Sequence, residues 1–141
     1  DYLTRFVRPG GPLGIVVVGL MQEMTSGPPS YLTQPQSNGR VFWEESCRCF
    51  KTKEFWQALW EGCPFVSDTR VDALKDGWRH WRDFGRAVEA AGKGIFPSEA
   101  EALDKDQGQY MGFLRLLATR TEKTGMDMYD PALGIKVRVD K

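Results

Sequence analysis

Three cysteines and one histidine are the residues best suited to do chemistry: Cys47, Cys49, Cys63 and His80. Four nitrogen and sulfur ligands is the number that a structural zinc ion takes. The spacing argues against such a site. Cys-x-Cys is not the Cys-x-x-Cys knuckle, and thiols two residues apart on a helix point to different sides. The expectation is buried thiols acting as small apolar side chains, with no metal. An odd cysteine count also argues against a full disulfide framework.

His80 is the one candidate cofactor-binding residue. It shares a helical stripe with Ala73, Gly77 and Phe84, against which a flat ring could lie, and its imidazole could ligate the metal of a tetrapyrrole. A packed, hydrogen-bonded histidine is the commoner role. The reading therefore assigns no cofactor. Gly-x-Ser-x-Gly, P-loop and dinucleotide-binding signatures are missing from the sequence. Gly10 to Gly14 precede an apolar run instead of joining a strand to a helix, and the carboxylates are spread over helix surfaces. A non-enzyme is expected.

The run Trp78-Arg79-His80-Trp81-Arg82 suggests a nucleic-acid-binding helix over Trp78 to Arg86. Its charges are balanced, however. Arg70, Lys75, Arg79, Arg82 and Arg86 are offset by Asp68, Asp72, Asp76, Asp83 and Glu89. The whole chain carries a net charge of +0. A phosphate binder needs a net basic face, so a solvated, salt-bridged face is preferred and nucleic acid is the alternative.

The 141 residues fit one domain. The clearest helical pattern runs from Asp68 to Gly94. Val71, Leu74, Trp78, Trp81, Gly85 and Val88 recur at spacings of three and four. Ser67 or Asp68 would cap its start, and Gly92 and Gly94 would stop it. A second, small-residue stripe (Ala73, Gly77, His80, Phe84, Ala87, Ala91) would let another backbone come close. Residues 40–62 read as helical, broken near Lys51 to Lys53, with an aromatic stripe that includes Trp56 and Trp60. Residues 98–124 read as the last helix. It opens on a Ser98–Glu101 capping box and carries Leu103, Tyr110, Leu114 and Leu117, with Met111, Phe113 and Ala118 widening the stripe.

The first 38 residues are rich in Pro and Gly and read as an irregular, apolar docking arm. Within them Leu13 to Met21 is about half the roughly 20 residues that a spanning helix needs, so it reads as a buried strand or docking segment. Ile135, Val137 and Val139 alternate with charged residues, the pattern of one half-buried strand. A lone strand needs a partner, which Ile15 to Val18 or a neighbouring subunit could supply.

The expected fold is thus mainly α: a three- to four-helix bundle over residues 39–125, a long irregular arm over 1–38, and a tail over 126–141 with one strand. The expected function is a non-catalytic accessory subunit that docks on a larger protein complex. Its candidate partner-binding residues are Tyr2, Phe6, Ile15, Val17, Tyr31, Leu32, Trp43, Trp56, Trp60, Ile135 and Val137. The chain starts at Asp1 without Met, which together with its build points to an organelle, a mitochondrion or plastid. Its assembly there would be a respiratory or photosynthetic one, with the chain peripheral to the membrane.

Overall fold

The segment after Gly108 carries apolar residues on both parities, and this is the pattern of a strand covered on both faces. Met111–Arg120 is that strand, β3, and it is the middle of a three-stranded antiparallel sheet in a computed structural model that describes residues 2–92 and 99–123. On one side β3 pairs with β1 (Pro12–Leu20) along its whole length, from Pro12 opposite Thr119 to Leu20 opposite Met111. On the other side it pairs with β2 (Val66–Ala73), in a register that shifts between Ser67 and Arg70. Asp68 stands in that irregularity with φ +51°.

Helices cover both faces. Helix α2 (Lys53–Glu61) lies on one, where Trp56 and Trp60 pack with Val17, Met21, Val71, Leu114 and Leu116. The other face carries α3 (Gly77–Ala90) and α4 (Glu99–Asp106). There Trp81 packs on Phe113, with Leu20, Leu103 and Met111 in the same core. The short helix α1 (Ser30–Thr33) buries Leu32 in that core against α4. The 3-10 turns Tyr2–Phe6 and Glu45–Cys49 complete the regular structure of the described residues.

This is an α/β sandwich, and the expected mainly-α bundle is overturned by the sheet. The proposed helix 68–94 divides at Lys75: its first part is β2, and only Gly77–Ala90 is helical. Val71 and Leu74 have helical spacing to Trp78, but β-branched Thr69 and Val71 favour the strand. Ser67 and Asp68 cap nothing in α3. The residue at its start is Asp76, in the left-handed region at φ +56° and without a side-chain cap bond.

The proposed helix 98–124 also divides. Gln107 and Gly108, at φ +51° and +79°, turn the chain from α4 into β3. Glycine is required at 108, because the Trp78 indole packs directly over its Cα. The serine of the Ser98–Glu101 box lies outside the described residues. Glu101 accepts from Ser37 N–H at 2.7 Å and from Lys105 Nζ at 2.7 Å. The first 38 residues are not the irregular docking arm that was expected: Pro12–Leu20 is a regular strand of the sheet, and Leu32 is 0% exposed. The strand expected at Ile135 to Val139 lies outside the described residues.

Candidate docking surface

Helix α2 is built from KEFWQALWE. Thr52 caps it, its side-chain oxygen accepting from Phe55 N–H at 3.5 Å, and Gly62 follows its end. At 100° per residue its large apolar side chains span an arc wider than the sheet can cover. Trp56 and Trp60 take the sheet side of the arc. Phe55 and Leu59, one turn apart, are left on the flank, 45% and 52% exposed.

A hollow lies at each end of this pair. At the Phe55 end a cleft of about 660 Å³ is walled by Met24, Pro28, Trp43, Phe50 and Phe55, with Glu23, Arg48 and Lys51 among its lining. Lys51 Nζ stands 5.6 Å from the Phe55 ring centre. Cys47 closes the floor, and burial pushes its thiol pKa up. At the Leu59 end a hollow of about 420 Å³ is formed by Leu59, Trp60, Gly62, Cys63, Pro64 and Phe65. The result is an apolar ridge between two recesses, the shape that receives a side chain of another surface at each end.

Few of the expected partner-binding residues contribute to this surface. Trp43 lines the larger cleft with its edge to Phe50. Trp56 and Val17 pack inward, and Trp60 does so while touching the smaller hollow. Ile15 and Trp60 meet across a separate, mostly apolar cavity of about 290 Å³ with Leu3, Leu13, Cys63 and Val66. Tyr31 and Leu32 serve the protein's own core. Tyr2 begins the first 3-10 turn, and Phe6 ends it, 73% exposed. Ile135 and Val137 lie outside the described residues. Phe55 and Leu59 lie within the 40–62 segment that reads as helical. What the sequence lacked was the side of α2 that the sheet would take.

The candidate chemistry does not assemble. His80 is exposed on α3, and Cys47, Cys49 and Cys63 are free. Among the described residues no group of three or more His, Cys, Asp or Glu is placed to hold a metal. On the Trp78–Arg86 face, the guanidinium groups of Arg79 and Arg82 stand 5.3 and 5.2 Å from the centre of the Trp78 ring. Each arginine of that face has a carboxylate partner: Arg79 with Asp76 at 3.1 Å, Arg82 with Asp83 at 2.8 Å, and Arg86 with Asp104 at 2.6 Å. Of the second stripe, Gly77 is buried and lets β3 come close, since a Cβ there would stand 3.2 Å from the Phe113 backbone nitrogen. His80, Phe84, Ala87 and Ala91 face outward.

Among the described residues no helix is long and apolar enough to cross a membrane. No protein-family model, curated protein or solved structure matches this chain.

Proposed function

We propose that this protein is a non-catalytic accessory subunit that docks on a larger protein assembly through the Phe55–Leu59 flank of α2. The observation that carries this reading is the exposure of those two side chains, 45% and 52%, on a helix whose neighbouring side is already committed to the sheet. Full burial of a Phe or Leu side chain is worth about 1.5–3 kcal/mol. A ridge with a recess at each end concentrates that gain in one patch, as the anchors of protein interfaces do. The paired arginines of α3 favour this reading over a nucleic-acid helix, because cations already held by carboxylates are poor phosphate ligands.

The test is the native size of the protein in a gently solubilised extract of its source. The wild-type chain is expected to migrate with a large complex. A chain carrying Phe55→Ser and Leu59→Ser is expected to keep its circular dichroism and migrate alone. A wild-type chain that runs at its own mass sinks the accessory-subunit reading. A doubly substituted chain that stays in the complex moves the docking surface elsewhere.

A further inference from the structure

The two edges of the sheet are treated differently. The outer edge of β2 is closed by a side chain: Gln57 Oε1 accepts from Val71 N–H at 2.9 Å, and Gln57 Nε2 donates to Thr69 C=O at 3.1 Å. The irregularity at Asp68 further disrupts that edge. Both are devices that stop a second sheet from pairing. The outer edge of β1 has neither. Leu20 N–H bonds Lys51 C=O on that side, whereas Met21 N–H bonds Tyr110 C=O on the β3 side. Alternation along the strand then places the N–H and C=O groups of Gly14, Val16 and Val18 on the open edge. Among the described residues none of these groups has a partner off the sheet. The strand PLGIVVVGL has no charged residue, and Val16 at its centre is 53% exposed.

From this edge we infer that β1 pairs antiparallel with β1 of a second copy of the chain, about a two-fold axis at Val16. In that register Val16 faces Val16 of the second copy, and Gly14 faces Val18. Each of these pairs exchanges both backbone bonds. The register also ends where the donors end. The pairing stops at Val18, because the outer side of Leu20 is already occupied by the Lys51–Thr52 backbone, and Pro12, the next residue on the open edge before Gly14, has no N–H to give. The absence of charge leaves nothing to repel in an antiparallel self-pairing. The two-fold axis is perpendicular to the joined sheet, so both α2 helices lie on one face of it. If the α2 ridge is the docking surface, the dimer presents it twice to one side.

The experiment is sedimentation of the purified full chain across a dilution series. The wild-type chain is expected to reach twice the chain mass and to dissociate on dilution. Val16→Lys, which puts like charges opposite each other at the axis, is expected to leave a folded monomer. A second variant, Val16→Cys with Cys49→Ser and Cys63→Ser, is expected to give a disulfide-linked dimer on mild oxidation, which keeps the test alive if the lysine variant misfolds. A wild-type chain that stays monomeric at every concentration overturns the proposal. So does a dimer that survives Val16→Lys in a folded chain. A monomer whose Gly14 and Val16 amides lose exchange protection on truncation after Lys123 overturns it in favour of the chain's own C-terminal segment. The Phe55→Ser, Leu59→Ser chain separates the two readings: it should lose the large complex and keep the dimer.

Discussion

The Tyr31 hydroxyl donates to Asp106 Oδ1 at 2.8 Å, joining residues 75 positions apart in the chain. Asp106 is 2% exposed and ends α4. Its carboxylate also accepts from Met111 N–H at 2.9 Å and Tyr110 N–H at 3.1 Å, so it holds the turn into β3 as well. Burial, then the bond to Asp106 and its charge, push the Tyr31 pKa far above the usual tyrosine range. Tyr31→Phe removes a bond to a charged acceptor and should cost about 1.5–3 kcal/mol in urea unfolding. A loss near zero would show that water replaces the hydroxyl without penalty.

The same bond sets an alkaline limit. The folded pKa of Tyr31 is raised above its unfolded value, so the stability it contributes is full below about pH 10. That contribution is lost as pH rises toward the folded pKa. Stability of the wild-type chain should fall more steeply above that pH than stability of Tyr31→Phe. Parallel slopes would contradict it.

Two tryptophans make a matched comparison. Trp81 Nε1 donates to Glu99 Oε2 at 2.8 Å. Trp56 Nε1 is buried and has no acceptor among the described residues. Replacement by Phe removes similar volume at both sites, but it costs a hydrogen bond only at Trp81. Trp81→Phe should therefore be more destabilising than Trp56→Phe by about 1–3 kcal/mol. Equal unfolding midpoints for the two variants would count against the assignment.

These contacts also explain what could be read from the sequence. The strand at Ile15 to Val18 was legible because its apolar run is too short to span a membrane, and α2 was legible from its stripe at Trp56 and Trp60, although the part of the expected helix before Lys51 holds only the 3-10 turn Glu45–Cys49. β3 was not, since a strand buried on both faces has no period of two and its leucines at 114 and 117 mimic a helix. β2 was absorbed into the following helix because Val71, Leu74 and Trp78 happen to be spaced by three and four. The long reach from Tyr31 to Asp106, which turns an apparent arm into part of the core, has no local signature. The exposed flank of α2 depends on which side the sheet takes, and only the tertiary fold decides that.

Gln57 offers a test of the closed edge. Gln57→Leu keeps the volume but leaves Val71 N–H and Thr69 C=O unpaired at the β2 edge. Stability should fall by about 1–3 kcal/mol, and the Val71 amide should exchange faster. The variant should also gain a concentration-dependent self-association that Val16→Lys does not suppress, because a second edge has been opened. Unchanged exchange at Val71 would mean that the amide bridge is not formed in solution.

Glu101 supplies an acid-side prediction. Its carboxylate is pulled down to about 2, first by the hydrogen bond from Lys105 and then by those from Ser37. A folded pKa below the unfolded value means that the stabilisation is present above the ordinary glutamate range and is lost as pH falls toward 2. Ser37 N–H reaches Glu101 at 2.7 Å, so the bond links the loop after α1 to α4. The Glu101 carboxyl signal, followed by NMR, should titrate with a midpoint near 2 in the wild type. Lys105→Met should raise that midpoint, because the largest cause of the shift is gone. It should also weaken the dependence of the midpoint on salt, since the backbone donor that remains is neutral. A wild-type midpoint in the ordinary glutamate range would show that neither partner holds the carboxylate in solution.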